Sequence, residues 1–416
     1  MSQPTIITMG CRLNTFESQV MRDAAGAAGL TDAVIINTCA VTAESERQAR
    51  QTIRRARRDH PGARLIVTGC AAQLDPGGYA DMPEVDQVLG NREKLDAKSY
   101  LAGDAPDLVN VADIMTVRDT APHLISGFEE RTRAFVQIQQ GCDHRCTFCI
   151  IPFARGNNQS LGLGRIVEQV RKLVDGGYRE VVLTGVDICS YGGDLPGRTG
   201  LGEMTRRLLK AVPELPRLRL SSLDPAAMDD DLFELLATEP RLMPHLHLSL
   251  QALDDMVLKR MKRRHSVEDA VRVIERARQA CPDVVLGADL IAGFPTESDA
   301  MHETTLSAVR ELDLVHLHVF PYSERPGTPA AQMPVVPRAA RKQRAAELRA
   351  AGVQSLTRYL DSRIGSAAEV LVEKGSYGLC RHYLPVDLDH PARPGSIVNA
   401  RITGAADGRL QASAAA

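Results

Sequence analysis

The stretch QGCDHRCTFCIIPFAR, residues 140–155, places three cysteines in a C-x-x-x-C-x-x-C arrangement directly after a strand-like run. Three thiolates on one short loop, Cys142, Cys146 and Cys149, suit an iron–sulfur cluster with one iron left without a protein ligand. Structural zinc is the alternative, but it usually takes a fourth local Cys or His. His144 lies between two of the cysteines, an awkward position for chelation. The spacing therefore favours the cluster over zinc.

Three further cysteines lie near the start of the chain, each at the end of a β-branched run. Cys11, Cys39 and Cys70 come at or one residue past residues 4–10, 33–39 and 64–70. Parallel strands have their carboxyl ends at one edge of a sheet, where open α/β folds bind ligands. We expect these thiols to meet in a shared metal or cluster site. Three unrelated buried cysteines are the alternative.

The chain outside the cysteines alternates between strand-like and helix-like segments. In the first third the period is near 30 residues, the size of a βαβ unit, which predicts a doubly wound parallel α/β domain. After Cys149, strands are expected at residues 180–184, 218–221, 245–250, 284–291 and 314–320. Repeated βα units predict a parallel barrel with its sites at the carboxyl ends of the strands. From residue 367, short strands separated by turn residues predict a small all-β module.

Composition excludes several classes of protein. The 416 residues are 44% hydrophobic and 25% charged, typical of a globular protein of two or three domains. No secretory signal and no apolar run long enough to span a bilayer is visible, so we expect a cytoplasmic protein. Nine cysteines in such a chain favour metal binding over disulfides. A net charge of −2 means that RNA binding would depend on local basic patches.

The cysteine loop, with Phe148 before its last cysteine, resembles the cluster motif of radical S-adenosylmethionine (SAM) enzymes. Across nearly the whole chain the sequence resembles the methylthiotransferases of that superfamily, by motifs that occur in the expected order: MGCRLNTFESQ, INTCAVTAESERQAR, VTGCAAQ, LTGVDI, HLHLSLQ, LKRMKRRHS, DLIAGFPTE and VFPYSERPGTPA. The residues after Cys11 and Cys39, together with the Phe-Ala-Arg-Gly that begins at Phe153, favour the subgroup acting on N6-threonylcarbamoyladenosine in tRNA.

The resemblance implies three domains and an activity. The domains are an N-terminal methylthiotransferase domain at residues 1–105, an open (β/α)6 radical SAM barrel at 128–350 and a short TRAM-like β module at 366–416. The activity is transfer of a methylthio group to carbon 2 of N6-threonylcarbamoyladenosine at position 37 of tRNA, next to the anticodon. A radical mechanism is expected because a polar side chain cannot readily remove that hydrogen as a proton.

The resemblance also implies cofactors and partners. Two 4Fe–4S clusters are expected, one on Cys142, Cys146 and Cys149, which also binds SAM, and one on Cys11, Cys39 and Cys70. The expected partners are tRNA and a low-potential electron donor such as flavodoxin or ferredoxin, with no membrane, and the protein is expected to be a monomer. The residues expected to contact SAM are Phe148, Thr184, Asp187, Ser249 and Gln251.

Basic residues cluster in runs that predict contacts with RNA phosphates. The candidates are Arg54 and Arg55 in the first run, and Lys259, Arg260, Lys262 and Arg263 in the second. Such contacts would make RNA binding depend on salt. The alternative is that each run forms a solvated helix face.

Some features depart from the resemblance or stand outside it. Gln159 occupies a position where the family commonly has arginine, and Leu253 a position where it commonly has glycine. Four histidines alternate along two predicted strands, and we expect buried, hydrogen-bonded rings, with one of each pair facing the barrel interior: His245, His247, His316 and His318. The alternative functions are modification of another tRNA adenosine, modification of a ribosomal-protein aspartate, and a non-catalytic iron–sulfur RNA-binding protein.

Overall fold

The N-terminal part of the chain is a five-stranded parallel sheet in the order β1-β2-β3-β4-β5. The structure, a computed structural model, describes residues 4–101, 107–117, 124–125, 127–128 and 131–414. The elements of this part are β1 Thr5–Thr8, α1 Arg12–Ala27, β2 Ala33–Thr38, α2 Ala43–Asp59, β3 Arg64–Gly69, α3 Cys70–Leu74, α4 Pro76–Ala80, β4 Gln87–Leu89 and β5 Val109–Asn110.

Helices cover both faces of this sheet. On one face α1 packs Met21 against Ile35 and Ile66, which belong to the two central strands. On the other face α2 packs Ile53 against the alternate residues of the same strands, among them Ile36. Because successive strand residues point to opposite faces, the continuous apolar runs are explained by burial on both sides. The prediction of a doubly wound parallel α/β domain is confirmed.

The central part is an open barrel of parallel strands. Its strands form two sheets, β10-β9-β6 and β11-β12-β13-β14, joined by a bridge between Leu218 and Leu242. Among the described residues no pairing joins β6 to β14, so the barrel is open along that side. The barrel strands are β6 Arg133–Gln137, β9 Glu180–Thr184, β10 Arg217–Leu220, β11 Ser222–Leu223, β12 His245–Gln251, β13 Val285–Ala292 and β14 His316–Pro321. Between β6 and β9, the short strands β7 Gln139–Gln140 and β8 Gln159–Ser160 form a separate antiparallel pair.

Helices surround the barrel, as the alternating pattern predicts. They are α5 Ile151–Arg155, α6 Leu163–Asp175, α7 Leu201–Ala211, α8 Asp230–Thr238, α9 Asp255–Arg260, α10 Val267–Ala280, α11 Asp299–Glu311 and α12 Arg338–Ser362. The apolar faces of α6, α7, α8, α10, α11 and α12 pack against outward strand residues such as Leu246, Leu248 and Leu290 in one large core. The short helices α5 and α9 pack elsewhere, with Ala154 in a cluster of the N-terminal sheet and Val257 in a small separate cluster. No helix in the described ranges is long and apolar enough to cross a membrane.

The histidine pairs of β12 and β14 correct one expectation. His245 and His247 are two residues apart on one strand, so both point to the same face, opposite to Leu246 and Leu248. The same holds for His316 and His318 on β14, and the rings of His247 and His318 lie 4.5 Å apart. Both members of each pair therefore face the barrel interior, and the expectation that only one would do so was wrong.

The C-terminal part is a small closed β-barrel, which confirms the predicted all-β module. Its strands pair in the order β15-β16-β17-β19-β18. It contacts the rest of the chain through an ion pair between Arg133 and Glu373, 2.6 Å apart. Its Tyr383 hydroxyl also accepts a 3.2 Å hydrogen bond from Arg12. The strands are β15 Ala367–Lys374, β16 Tyr377–Cys380, β17 Pro385–Leu388, β18 Ile397–Ala406 and β19 Arg409–Ala414.

The expected domain limits partly fall outside the described residues. Residues 1, 105 and 416 are limits of two of the predicted domains, and they are not among the described residues. Within the described part, each of the three sheet systems has an apolar cluster, with buried members such as Val67, Leu248 and Val386. The N-terminal sheet has a second cluster on its other face, and Val285 and Val315 of the barrel region join the cluster of the C-terminal module. These clusters agree with a three-part organisation.

Candidate functional site

Three cysteines lie at the carboxyl edge of the N-terminal sheet. Cys11 precedes α1, Cys39 follows β2, and Cys70 is the first residue of α3. Gly10 allows the first loop to approach Cys39, since a Cβ there would lie 2.8 Å from the Cys39 Sγ. Burial, with smaller contributions from Cys70 and Cys11, raises the pKa of Cys39 to about 11. The structure thus brings the three thiols to one edge.

A buried network of charges surrounds Cys70. Arg155 donates from Nε to the Cys70 Sγ at 3.2 Å and from Nη1 to the Glu17 Oε1 at 2.7 Å. Lys94 lies 2.7 Å from the other carboxylate oxygen of Glu17. The side chains of these three charged residues are 0–2% exposed. Sequence analysis did not select any of them as site residues.

The charges of this network test whether the cysteines fit an iron–sulfur cluster. Two cations, Arg155 and Lys94, face one carboxylate, Glu17, within a fully buried site. Burial lowers the pKa of Lys94, while the Arg155 guanidinium lies against the Cys70 sulfur. An unbalanced buried charge is costly, and a thiolate is the form of cysteine that ligates iron. The surroundings of Cys70 therefore fit a metal group that this sulfur ligates.

The other three cysteines lie on the loop between β7 and α5. The Cys149 amide donates to the Cys146 carbonyl at 3.1 Å, which closes a tight turn. Thr147 ties this turn to the C-terminal end of α9, donating from its amide to the Met261 carbonyl at 3.0 Å and from its hydroxyl to the Arg260 carbonyl at 2.8 Å. The loop is thereby held at the carboxyl edge of the barrel.

Two thiols of this loop, those of Cys142 and Cys149, are also poor acids when unliganded. Burial, followed by the nearby Asp187 carboxylate, raises the pKa of Cys142 to about 12. Burial likewise raises the pKa of Cys149 to about 11. A cysteine must lose its proton before it can ligate a metal. The free energy of metal binding can supply the cost of that deprotonation. Three converging thiols in one loop fit a metal-bound cluster.

Asp187 lies beside this loop, in the segment that follows β9. Its Oδ2 is 3.0 Å from the His144 Nε2 and 4.0 Å from the Cys142 Sγ. The atoms of these three residues are close enough to share a metal ion. His144 was the local residue considered as a fourth ligand in the zinc alternative. In the structure its Nε2 faces Asp187.

The other residues predicted to contact SAM lie on the same edge of the barrel. Phe148 packs edge-to-face against Phe294, with ring centroids 6.4 Å apart. Thr184 ends β9, while Ser249 and Gln251 end β12, where the strand register shifts and Gln251 has a φ of +69°. Their positions agree with the expected edge, and their contact with SAM stays a prediction.

The residues predicted to bind RNA fall into two groups. Arg54, Arg55, Lys259 and Lys262 are exposed, and Arg260 is partly buried, with Nη1 donating to the Thr296 carbonyl at 3.0 Å.

Arg263 differs from the other predicted RNA contacts. Its side chain is 8% exposed and pairs with Asp224 at 3.3 Å. Its Nη1 lies 3.6 Å from the Cys146 Sγ, and its Nη2 donates to the Ser249 carbonyl at 2.8 Å. The chain reverses after α9, with φ of +60° at Lys262, and turns Arg263 inward. Its prediction as a phosphate contact is at odds with this burial.

Leu253 and Gln159, the two departures noted in the sequence, are both buried. Leu253 packs in the core between the barrel strands and their helices. Gln159 donates from Nε2 to the Val117 carbonyl. Both side chains are accommodated by contacts within the protein.

Comparison with known proteins identifies two matching families. The radical SAM superfamily matches residues 136–309, and the uncharacterized protein family UPF0004 matches residues 3–90. The first match covers most of the barrel, including its cysteine loop, and the second covers most of the N-terminal sheet, including Cys11, Cys39 and Cys70. Each set of three cysteines therefore lies in its own family region.

Sequence similarity to known proteins extends over nearly the whole chain. Threonylcarbamoyladenosine tRNA methylthiotransferase MtaB of Rickettsia prowazekii is 49% identical over 98% of this chain and 96% of its own length. The protein of the same name from Thermotoga maritima is 36% identical over 88% of this chain and 86% of its own. A tRNA-2-methylthio-N(6)-dimethylallyladenosine synthase of Cereibacter sphaeroides is 34% identical over 97% of both chains.

Among solved structures, the radical SAM methyltransferase TsrM of Kitasatospora setae, with cobalamin and a [4Fe–4S] cluster bound, has a similar fold. The TM-score is 0.55 at 16% identity, covering 80% of this chain and 77% of that one. This likeness supports the fold alone. The sequence matches, which extend over both cysteine regions, establish the family. The chain belongs to the radical SAM methylthiotransferases, enzymes that use SAM and two [4Fe–4S] clusters.

Proposed function

We propose that this protein transfers a methylthio group to carbon 2 of N6-threonylcarbamoyladenosine at position 37 of tRNA. The observation that carries the proposal is 49% identity, over nearly the full length of both chains, to a relative named for threonylcarbamoyladenosine in tRNA. Three further relatives with the same name are 32–36% identical. The substrate class follows from these names, and tRNA is the common element.

In this proposal the two sets of cysteines hold separate clusters. Cys142, Cys146 and Cys149 hold the cluster that binds SAM, and Cys11, Cys39 and Cys70 hold the second. When bound, SAM and the clusters supply the radical chemistry and the sulfur that an unactivated aromatic C–H bond requires. Three thiolates per cluster leave one iron open for SAM or for sulfur.

The residues around each set have distinct positioning roles. Arg155 and Lys94 both form ion pairs with Glu17. In this proposal their positive charge also balances the negative charge of a ligated Cys70. Thr147 anchors the barrel loop to the C-terminal end of α9, so that Cys142 keeps its place at the strand edge. Phe148, Thr184, Asp187, Ser249 and Gln251 are proposed as SAM contacts because all belong to that edge.

The proposal also covers organisation and partners. The domain limits 1–105, 128–350 and 366–416 are proposed because each of the three sheet systems has an apolar cluster. Arg54, Arg55, Lys259 and Lys262 are proposed as phosphate contacts because their side chains are exposed. We further propose a cytoplasmic monomer that takes electrons from flavodoxin or ferredoxin, as a tRNA-modifying radical enzyme requires a low-potential donor.

The test is anaerobic reconstitution with iron and sulfide, followed by reaction with tRNA that carries or lacks threonylcarbamoyladenosine. About eight irons per chain, SAM cleavage and a methylthio nucleoside only from the modified tRNA are expected. The matched control is the Cys142→Ala, Cys146→Ala, Cys149→Ala variant, which should cleave no SAM. Two intact clusters without SAM cleavage would instead indicate a non-catalytic RNA-binding protein.

A second candidate substrate is dimethylallyladenosine, favoured by the 34% identity over 97% of this chain to the named synthase. A parallel reaction with tRNA that carries dimethylallyladenosine decides between the two. A product from that tRNA alone would overturn the proposed substrate. A methylthiolated ribosomal protein with no tRNA product would favour the protein-modifying relatives.

A further inference from the structure

A compact group of polar side chains lies on the inner wall of the barrel, outside both cysteine sites. His247 on β12 and His318 on β14 each approach the same oxygen of Asp289 on β13. The distance from Asp289 Oδ1 is 3.0 Å to His247 Nε2 and 3.1 Å to His318 Nδ1. These atoms of the three residues all lie within 4.8 Å of one another. The arrangement gathers two imidazoles and one carboxylate at one point.

Asp289 is paired differently from most of the other enclosed carboxylates. Four of them have a guanidinium beside them: Glu17 with Arg155, Glu180 with Arg219, Asp224 with Arg263 and Glu297 with Arg344. Asp187 is a further exception, because it pairs with the single imidazole of His144. Asp289, only 21% exposed, pairs with the two imidazoles alone in the same ranges. A guanidinium is always charged, whereas an imidazole is largely neutral at neutral pH. Asp289 therefore lacks a permanent cation.

The strand backbone is shaped to admit the His247 ring. A Cβ on Gly287, the residue of β13 opposite His247, would lie 2.6 Å from the His247 Nδ1 and 2.6 Å from the His316 carbonyl oxygen. Neither neighbour is the end of a flexible chain, so any larger residue would displace the ring. Glycine at this position thus leaves room for the His247 ring, whose Nε2 faces Asp289.

Access to the group comes from the lumen side. The His247 side chain is 6% exposed, while the His318 side chain is 57% exposed. The group is therefore anchored in the wall at one end and open at the other. An ion or small ligand from solvent can reach it without a rearrangement of the strands.

We propose that His247, Asp289 and His318 bind a divalent transition-metal ion on the barrel wall. Two imidazoles and a carboxylate are a ligand set of such ions, and they leave further coordination positions open. Ligand bonds of about 2.1 Å at right angles place adjacent ligand atoms about 3.0 Å apart, as the Asp289 contacts require. The open positions face the lumen and would take an oxygen donor. This site is separate from both clusters and does not depend on the proposed tRNA substrate.

The test uses the holoenzyme with both clusters assembled and Co²⁺ as the probe. After desalting, we expect about one cobalt per chain and the low-temperature magnetic resonance signal of high-spin Co²⁺. Oxidised [4Fe–4S]²⁺ clusters do not obscure that signal because they are diamagnetic. Asp289→Asn and His318→Ala should each weaken cobalt binding by at least about tenfold. Loss of a residue that only hydrogen-bonds to a metal ligand already costs about that much, and these residues are ligands themselves.

The matched control is His302→Ala, which removes a histidine–carboxylate pair outside the lumen, where His302 lies 2.7 Å from Glu347. One imidazole and one carboxylate lack the third ligand, so cobalt binding should not change. Iron, sulfide and melting temperature establish that each variant is folded and carries its clusters. His318 is half exposed, so its variant remains informative even where Asp289→Asn does not fold.

Two results would overturn the proposal. Wild-type protein that keeps both clusters but retains no cobalt would mean that hydrogen bonds alone hold the three side chains together. Equal cobalt in wild-type protein, Asp289→Asn and His318→Ala would place the ion elsewhere. Because iron and sulfide are measured in the same samples, loss of a cluster is distinguished from loss of the cobalt site.

Discussion

The two cysteine sites are built in different ways. In the barrel, Cys142, Cys146 and Cys149 belong to one loop whose turn is closed by its own backbone. At the N-terminal sheet, Cys11, Cys39 and Cys70 follow three separate strands, and Cys70 contacts an arginine 85 residues further along the chain. The first site therefore depends on local geometry and the second on the assembled fold. The comparison predicts that the two sites fail in different ways.

The largest effect is expected from removing each set of ligands. Replacing Cys142, Cys146 and Cys149 by alanine should remove about four of about eight irons and abolish SAM cleavage. Replacing Cys11, Cys39 and Cys70 should also remove about four irons but leave SAM cleavage, with no methylthio product. Iron analysis and product chromatography measure both.

Cys281→Ala is the control for this comparison, because Cys281 lies at the end of α10, outside both sites. It should keep all the iron and full activity. Loss of every iron in either triple variant would show that the two sites are not independent.

The second largest effect, a loss of stability toward unfolding, is expected when Glu17 is changed to glutamine. The substitution leaves Arg155 and Lys94 buried without their carboxylate, since both contact Glu17 at 2.7 Å. Breaking a buried ion pair costs about 3–5 kcal/mol, so the free energy of unfolding should fall by that amount. Urea denaturation of the cluster-free protein measures it.

Glu44→Gln is the matched control, because Glu44 pairs with Arg47 on an exposed helix face. It should leave the urea midpoint unchanged, since surface pairs are strongly screened. An equal loss of stability in both variants would refute the special role of the buried network.

The same carboxylate predicts how stability depends on pH. Burial alone would raise the pKa of Glu17, but Arg155 and Lys94 lower it from 4.5 to about 2. A lowered pKa gives stability that is present above pH 4.5 and lost as pH falls toward 2. The shift corresponds to about 3 kcal/mol. The stability difference between wild type and Glu17→Gln should therefore shrink between pH 5 and pH 3 in urea titrations.

A pH-independent difference would contradict this assignment. Barrel-site carboxylates do not confound the comparison, because both proteins contain them. The expected convergence thus reports on the N-terminal network alone.

The smallest effect is expected from the basic residues beside each site. Arg54→Ala with Arg55→Ala, and Lys259→Ala with Lys262→Ala, each remove two exposed cations. Each lost phosphate contact should lower the slope of log binding constant against log salt by about 0.9. Titration of tRNA at several salt concentrations measures it, and unchanged slopes would assign both pairs to a solvated surface.

Much of the fold was predictable because it rests on short-range patterns. Alternating apolar segments predicted the parallel sheet, the barrel and the β module, and the structure confirms each of them. The prediction for His245 and His247 was wrong because strand periodicity places residues two apart on one face. Arg263 was selected for its charge, yet the reversal at Lys262 buries it against the cysteine loop. Charge alone does not reveal such a turn.

The sequence by itself determined the barrel loop, because three ligands within eight residues are kept together by chain connectivity. It also determined which strands end in a cysteine, since β-branched runs mark the strands. Only the tertiary structure decided the surroundings of Cys70, where Arg155 meets a glutamate 138 residues away. It also decided the meeting of His247, Asp289 and His318 on three strands. Contacts between distant segments follow from packing and charge balance in the folded state, and no local pattern in the sequence encodes them.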